Sequence, residues 1–341
     1  MKQGRGSARG RQGVEFGFSL PSRGPLASAS VLVRLARKAD ALGFDCVTVS
    51  DHVVLPTKSS AAYPYSPTGE FPGGSHQDYL EPLILMGWLL ATTRRLRVGV
   101  SVLVVPYRNP VVTAKQIATL DVCSGGRVIV GCGVGWWPEE FQALAAPPFK
   151  ERGAVTDEYI RLMKELWTRD EPSFTSQHYQ LSDVTLFPKP VQRPHPPIWI
   201  GGHTPPALKR AGELGDGWHP IGLRAPANIT PAEYADLAQQ VRAYAARAGR
   251  RAEAVRLTLR APLDIWTGRR DRKATAAGGP MLQGNPLRGK PEKVAGDIRA
   301  YRRAGVETFV FDFTEQDPDA MIDLMERFAG EVRPRVSRSR E

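Results

Sequence analysis

A histidine placed directly after a strand-like run is the first candidate for proton chemistry in this chain. Asp51-His52 follows the apolar sequence FDCVTVS, which is typical of a buried strand. A histidine at the end of such a strand can move a proton near neutral pH or donate a hydrogen bond to a ring. The alternative is a structural Asp-His pair within a turn, and position alone leaves both interpretations open.

Two glycine-rich segments could bring backbone close to a ligand. The segment GCGVGWW at 131–137 has glycines at a spacing that permits close approach to a flat or phosphorylated molecule. It does not match a dinucleotide-binding fingerprint, because the third glycine is misplaced and Pro138 interrupts the helix that should follow. Adjacent residues rarely both point inward, so we expect one of Trp136 and Trp137 to face a cavity.

The second glycine-rich segment predicts an anion site. Ile198 begins a short apolar strand that runs into Gly201-Gly202, and Thr204-Pro205 then suits the start of a helix. Unpaired amides at the two glycines and at the helix start favour phosphate. An ordinary tight turn between strand and helix is the alternative.

The chain has no pattern that predicts metal binding or a serine nucleophile. Its six histidines show no HxxxH or HxH spacing, and its three cysteines form no CxxC pair. No GxSxG elbow is present. Two of the cysteines lie in apolar runs, as small core residues do, which suits a reducing cytoplasm. We therefore expect no metal site.

A sequence pattern that recurs between helix-like and strand-like segments indicates the fold that positions these residues. Five amphipathic segments end at a glycine that precedes a β-rich run, because the residue after a helix commonly takes positive φ. Eight alternating units predict an α/β fold, a closed (β/α)8 TIM barrel, with a doubly wound open sheet as the alternative. The predicted strands are 14–20, 44–50, 97–104, 127–132, 197–200, 217–221, 255–265 and 306–313, and the predicted helices lie near 28–42, 79–93, 111–123, 151–168, 205–213, 231–248, 291–304 and 318–329.

Three stretches rich in proline and glycine exceed what a minimal barrel needs: 53–78, 133–150 with 169–196, and 266–290. Most of them follow a strand and so extend loops at the C-terminal rim, where barrel active sites lie. We expect loops 53–78 and 169–196 to shape the substrate pocket. Their aromatic side chains favour a hydrophobic or ring-bearing substrate: Tyr63, Tyr65, Phe71, Tyr79, Phe174 and Tyr179.

The net charge of +11 would by itself suggest binding to nucleic acid or to a membrane surface, but the distribution of the charge along the chain does not support this. Residues 1–12 carry +4, residues 333–341 carry +3 and the segment 269–273 carries another +3. The charge therefore lies in two tails and one loop, and we expect no nucleic-acid partner. We predict a disordered basic tail at 1–13, one barrel domain at 14–332 and a basic C-terminal tail at 333–341.

The chain shows no targeting or membrane segment. Its N-terminus lacks the apolar stretch of a signal peptide, and no run of 18 apolar residues occurs. We therefore expect a cytoplasmic protein with no membrane partner.

Together these motifs resemble the luciferase-like monooxygenase superfamily, most closely its branch of oxidoreductases that use the deazaflavin coenzyme F420. The resemblance spans about residues 14–332 and implies a TIM barrel and a homodimer. The matching segments are ALGFDCVTVSDHV (41–53), YPYSPTGEFP (63–72), the stretch 93–141, ERGAVTDEYIRLMKELW (151–167), PKPVQRPHPPIWIGG (188–202) and GELGDGWHP (212–220).

The resemblance implies a position at the cofactor for several residues. Asp51 and His52 correspond to the pair beside the deazaflavin ring, and flavin-using relatives more often have EH than this DH form. Ser101-Val102 corresponds to a bulge in the third strand that in the family contains a non-prolyl cis peptide bond behind the ring. The other implied cofactor contacts are Val134 and Gly135 near the ring and ribityl chain, and Gly201, Gly202, His203 and Thr204 at the phosphate.

One position departs from the family pattern. Some sugar-phosphate dehydrogenases of this branch have a glutamate as proton donor just after the GxG of the fourth strand, where this chain has Trp136. The nearest acids are Glu139 and Glu140, and we take Glu139 as a candidate acid or cofactor contact. We therefore expect an aromatic cavity without phosphosugar activity, with His52, Trp136 and Glu139 as the candidate catalytic residues.

The leading hypothesis is an F420-dependent oxidoreductase that transfers hydride between C5 of the deazaflavin and a small hydrophobic molecule. His52 would handle a proton, and the basic loop 269–273 is a candidate to meet an anionic cofactor tail. The alternative is a monooxygenase that uses reduced FMN, since the phosphate site suits both cofactors. A non-catalytic cofactor carrier or a nucleic-acid binder with basic tails is a third hypothesis, against which the intact DH pair argues.

Overall fold

Eight parallel strands form a closed barrel in the computed structural model, which describes residues 13–222, 227–266 and 287–337. Around the barrel the order is β1, β2, β3, β4, β7, β8, β9 and β11, and β11 pairs with β1 to close it. The strands are β1 (Glu15–Ser19), β2 (Cys46–Val49), β3 (Arg97–Val104), β4 (Val128–Gly133), β5 (Phe174–Thr175), β6 (Gln180–Leu181), β7 (Ile198–Gly201), β8 (Gly217–His219), β9 (Arg256–Ile265), β10 (Arg288–Gly289) and β11 (Thr308–Phe313).

The prediction of a (β/α)8 TIM barrel is confirmed, and the open-sheet alternative is wrong. An open sheet would leave its first and last strands unpaired, whereas Glu15 of β1 lies in register with Thr308 of β11. The helices are α1 (Ala29–Ala41), α2 (Pro82–Thr92), α3 (Pro110–Ser124), α4 (Pro138–Ala143), α5 (Arg152–Thr168), α6 (Pro205–Leu214), α7 (Pro231–Arg247), α8 (Pro291–Arg303), α9 (Pro318–Arg327) and α10 (Arg333–Ser337).

Local sequence signals set the helix ends. The Asn109 side chain accepts hydrogen bonds from the amides of Val111 and Val112, and Pro110 occupies the first position of α3. The same helix ends at Gly125, whose φ of 68° is the left-handed conformation expected of a glycine cap. The strand β4 begins three residues later, so Gly125 connects α3 to the next barrel strand through a short turn.

A small set of side chains fills the barrel interior. Cys46, Ile129, Trp199 and Val310 form one buried cluster, although they come from β2, β4, β7 and β11. Side chains on strands that are not neighbours can meet only across the inside of a barrel. Glycines on intervening strands make the room: a Cβ at Gly217 would lie 2.5 Å from Cδ1 of Trp199.

Several short elements were not predicted from the sequence. Helix α4 and the hairpin of β5 and β6 are too short for a periodic pattern to reveal them. Residues 333–337, which the sequence assigns to the C-terminal tail, form α10, and Val336 on it is fully buried. The N-terminal tail up to residue 12 and the basic loop 269–273 lie outside the described residues.

Within the described ranges, none of the helices has both the length and the apolar character needed to cross a bilayer.

Candidate active site

A cavity of about 220 Å³ opens at the carboxyl ends of the barrel strands. This is the end of a TIM barrel at which active sites are found. Nine of the twelve candidate catalytic and cofactor-binding residues line it: Asp51, His52, Ser101, Val102, Val134, Gly135, Trp136, Gly201 and Gly202. Glu139, His203 and Thr204 are not among the residues that line it.

His52 is held by a buried glutamate that sequence reasoning passed over. Nδ1 of His52 lies 2.5 Å from Oε2 of Glu140, and the side chains are 8% and 0% exposed. A carboxylate accepts, so Nδ1 carries the proton and donates it. His52 also lines the cavity, which leaves Nε2 as the ring nitrogen available to a molecule there.

Glu140 is fixed by further donors. Its Oε1 accepts from the amide of Val53 at 2.8 Å, and its Oε2 accepts from the hydroxyl of Tyr107 at 2.9 Å. Burial and the neighbouring Glu140 carboxylate raise the pKa of Tyr107, so its hydroxyl remains a donor. The carboxylate thus fixes both the ring orientation and the tautomer of His52.

Glu139 points elsewhere, although it is adjacent in sequence. Its carboxylate accepts from the amide of Ser60 at 2.9 Å and from the hydroxyls of Ser59 and Ser60. The hydrogen bond from the Ser60 amide lowers the pKa of Glu139. This side chain therefore anchors the loop 53–78 and has no position at the cavity.

Asp51 positions backbone. Arg108 donates to both carboxylate oxygens at 2.7 Å, and the amide of Val104 donates at 2.8 Å. Burial raises the pKa of Asp51, and these donors oppose that rise. Arg108 also reaches Glu81 at 3.0 Å. Asp51 thus lines the cavity, but its carboxylate is bound to the Val104 amide and to Arg108, and these bonds hold β3 beside β2.

The bulge expected in the third strand is present. The peptide bond between Ser101 and Val102 is cis, and the register with β4 shifts between Val100 and Leu103. The glycines of 131–135 fit this bulge, because a Cβ at Gly131 would lie 2.0 Å from the carbonyl oxygen of Val100. Gly131 and Gly133 therefore make room for the neighbouring strand β3, in addition to any role toward a ligand.

A buried hydrogen-bond chain supports the bulge from below. The Thr258 hydroxyl donates to the carbonyl of Trp218 and accepts from Nδ1 of His219 at 2.6 Å, while Nε2 of His219 lies 2.9 Å from the hydroxyl of Ser101. Burial and nearby Arg260 lower the pKa of His219 to about 3, so the imidazole is neutral near pH 7. Its Nε2 therefore accepts from Ser101.

Arg260 completes this chain by donating to the carbonyl oxygen of Ser101 at 2.7 Å. Its guanidinium is paired with Asp312 at 2.8 Å. The carbonyl of the bulge is thus held by a charge-compensated arginine.

Aromatic rings surround the other side of His52. Phe71, Tyr79 and Trp136 contact the imidazole edge-on, with ring centroids 5.2, 5.3 and 6.0 Å away. Trp136 lines the cavity. Trp137 stacks on Trp136, with ring centroids 4.6 Å apart, and donates a hydrogen bond through Nε1 to the hydroxyl of Ser59. One of the two tryptophans faces the cavity, as the sequence predicts.

Only one of the two loops expected to shape the pocket reaches it. Tyr63, Tyr65 and Phe71 of loop 53–78 line the cavity, as does Tyr79 just beyond it, but no residue of 169–196 does so. The prediction for 169–196 is therefore wrong. Within this stretch the hairpin of β5 and β6 packs on the outside of α5, where Tyr179 contacts Tyr159 and Nε2 of His178 lies 2.6 Å from a carboxylate oxygen of Glu151.

The predicted anion site has fewer helix amides than the sequence pattern suggests. Proline occupies positions 205 and 206, so the first two residues of α6 have no N–H group. The amides of Gly202, His203 and Thr204 remain, and Gly202 has a φ of 93° that favours glycine. Nδ1 of His203 is buried without a hydrogen-bond partner among the described residues, and burial lowers the pKa of this histidine.

A closed parallel barrel with a histidine, a glycine-lined bulge and a glycine turn at the carboxyl ends of its strands is a TIM barrel. The luciferase-like monooxygenase family model matches residues 14–276, and the chain belongs to this family.

Similar curated proteins use different cofactors. The chain is 37% identical over 188 residues to an uncharacterized protein of Mycobacterium tuberculosis, covering 54% of this chain and 63% of that protein. It is 35% identical over 193 residues to an F420-dependent glucose-6-phosphate dehydrogenase of Amycolatopsis mediterranei (55% of this chain, 52% of that protein). It is 41% identical over 133 residues to an FMNH2-dependent dimethylsulfone monooxygenase of Pseudomonas putida (38% and 36%). The matches thus span 63% or less of the length of these relatives.

Solved structures confirm the fold. A monooxygenase from Streptomyces bottropensis superposes with a TM-score of 0.76 at 22% identity, covering 94% of this chain and 99% of that one. An F420-dependent secondary alcohol dehydrogenase in complex with an F420-acetone adduct gives a TM-score of 0.74 at 18% identity, with 95% and 99% coverage.

Proposed function

We propose that this protein is an oxidoreductase that binds coenzyme F420 in the barrel cavity and transfers hydride between C5 of the deazaflavin and a small organic substrate. The observation that carries this proposal is the dyad of His52 and Glu140, which directs one imidazole nitrogen into a cavity lined by the bulge at Ser101-Val102. The DH form of the pair at Asp51-His52 favours F420 over FMN through the resemblance described above.

The residues present fit a cofactor of this kind. The inaccessible, unpartnered Nδ1 of the partly exposed His203, beside the amides of Gly202 and Thr204, is suited to a phosphate oxygen. The bulge and the glycines of β4 and β7 offer backbone rather than side chains to a flat ring, and Gly133, Gly135 and Gly201 all line the cavity. We propose that Val134 lies against the same ring system.

The reaction needs a proton to move together with the hydride. When bound, F420 supplies or accepts the hydride, as redox cofactors do. Nε2 of His52 holds or removes a proton at the reacting oxygen or nitrogen of the substrate, because Glu140 occupies Nδ1 and stabilises positive charge on the ring. The rings of Phe71, Tyr79 and Trp136 exclude water from this nitrogen.

A monooxygenase that uses reduced FMN is the second candidate function. The 41% identity to the dimethylsulfone monooxygenase of Pseudomonas putida favours it. The same amides would hold the phosphate of FMN, so the two candidates differ in the ring and in the use of oxygen.

Titration of the purified protein with F420 and with FMN distinguishes them. Trp136 lines the cavity, so tryptophan fluorescence should report the binding of either ring. We expect a micromolar Kd for F420 and binding of FMN that is at least about tenfold weaker. Micromolar binding of FMN without binding of F420 would overturn the proposal, and incorporation of labelled dioxygen into a product would establish the monooxygenase.

We also propose that the protein is a homodimer through α2 and α3, which pack against each other. Helix α2 has no charged residue, yet its outer face exposes Ile84 and Trp88 to 72% and 57%, and Val112 of α3 is 55% exposed. Large exposed apolar side chains grouped in this way mark protein interfaces. The resemblance to the luciferase-like family independently implies a dimer.

Sedimentation or light scattering should therefore give about twice the 37.4 kDa of one chain. Trp88→Glu should shift the population to monomer, because burying an unpaired carboxylate at the interface costs several kcal/mol. Ala246→Glu places the same charge on the exposed face of α7 and should leave the mass unchanged. A monomeric wild-type protein would exclude this dimer.

A further inference from the structure

The cavity has two chemically different walls. One wall consists of backbone and small residues at the ends of β3, β4 and β7, and includes Gly201 and Gly202. The other combines aromatic side chains with Arg23, which follows β1. In the barrel order β7 lies four strands from β1, so Arg23 lies across the mouth from the proposed phosphate site.

Arg23 is held at this wall by neutral partners. It donates from one guanidinium nitrogen to the carbonyl of Pro72 at 2.6 Å, and its guanidinium carbon lies 5.1 Å from the ring centroid of Phe71. A backbone bridge joins it to Tyr79. These contacts fix the direction of the side chain while leaving guanidinium donors for another molecule.

The positive charge of Arg23 is not compensated within the part of the chain that the structure describes. No carboxylate in residues 13–222, 227–266 and 287–337 forms an ion pair with it. The other charged groups of the cavity are paired, Asp51 with Arg108 and Arg260 with Asp312. Tyr79 cannot supply a negative charge, because burial raises its pKa.

We propose that the substrate is a carboxylate with a planar apolar body, whose acid group pairs with Arg23. The planar part packs among Tyr63, Tyr65 and Phe71, which brings its reacting atom next to Nε2 of His52. A guanidinium binds a carboxylate through two parallel hydrogen bonds, so Arg23 would set the orientation of the substrate as well as its affinity. This inference rests on the proposed function, because it assigns the glycine-lined wall to the cofactor.

A pair of isosteric probes tests the inference on the cofactor-loaded protein. Calorimetry should show that 2-naphthoate binds about 30-fold more tightly than 2-naphthamide, as expected for hydrogen bonds to a charged group. In Arg23→Gln this ratio should fall below about threefold, and Arg23→Lys should retain part of it. Arg94→Gln removes an exposed arginine elsewhere and should leave the ratio unchanged.

Three results would overturn the inference. Equal binding of acid and amide by the wild-type protein would remove the preference itself. Equal weakening of both probes in Arg23→Gln would mean that Arg23 only holds the loop at Pro72. A loss of cofactor affinity in Arg23→Gln would assign the charge to the cofactor. Cofactor binding is measured separately, so a protein that binds neither F420 nor FMN contradicts the proposed function, and the ratio of the two probes is then measured on the protein without cofactor.

Discussion

His52→Ala is expected to lower turnover by about 1,000-fold, within the range for a general acid or base, and to change cofactor affinity less than about threefold. The reason is that His52 lines the cavity while its Nδ1 is bound to Glu140, which leaves Nε2 as the ring nitrogen for a substrate. Added imidazole should restore part of the lost turnover, because the alanine leaves a space between Phe71 and Trp136. A variant with more than a third of wild-type turnover would remove His52 from the reaction.

Glu140 acts through His52, so its substitution should separate kcat from KM. Glu140→Gln keeps the shape of the side chain but loses the charge that fixes the imidazole tautomer, and kcat should fall by about 100-fold with little change in KM. Tyr107→Phe removes one donor to the same carboxylate and leaves the dyad intact. Its kcat should stay within about fivefold of wild type, and an equal loss in both variants would indicate a structural role for Glu140.

The distinction between Glu139 and Glu140 shows where sequence reasoning stops. Consecutive residues on a helix point about 100° apart, so only one of two adjacent acids can face a given neighbour. Helix α4 is six residues long and carries no periodic pattern that would fix its phase. Its orientation depends on Pro138, the stacked tryptophans before it and the loop 53–78, and these meet only in the folded barrel.

The positions of strands and of most cavity residues were predictable because they follow from local signals. A glycine after a helix and an apolar run after the glycine place Asp51-His52 and the segment 133–136 at the same end of the barrel. Gly201-Gly202 joins them because it ends a short apolar strand that leads into a helix. Partners distant in sequence were not predictable in this way. Arg108 lies 57 residues from Asp51, and only closure of the barrel brings the two together.

The error about 169–196 came from composition. Residues 169–196 follow α5 and precede β7, and the hairpin of β5 and β6 within them packs on the outside of α5. His178 of this hairpin contacts Glu151 and Glu158, and Tyr179 contacts Tyr159. The aromatic residues of the stretch suggested a substrate loop, but their contacts are with helices outside the cavity.

Gly202→Asp is expected to weaken the binding of a phosphate-bearing cofactor by about 100-fold relative to Gly202→Asn, because it places a carboxylate beside the phosphate. Any side chain at this position meets a φ of 93° and the Cβ of Ala207 at 3.1 Å. Aspartate and asparagine share that cost and nearly the same shape. The difference between the two variants therefore isolates the charge.

Two prolines at the start of α6 sharpen this test, because they leave the site dependent on the amides at 202–204. Fluorescence titration of both variants with FMN and with riboflavin, which has no phosphate, separates the anion from the ring. The two variants should bind riboflavin equally and differ only for the phosphate-bearing molecule, and the titration with F420 should repeat the difference. Equal dissociation constants for aspartate and asparagine with every ligand would place the phosphate elsewhere, whereas a difference confined to the phosphate-bearing ligands would assign it to the turn between β7 and α6.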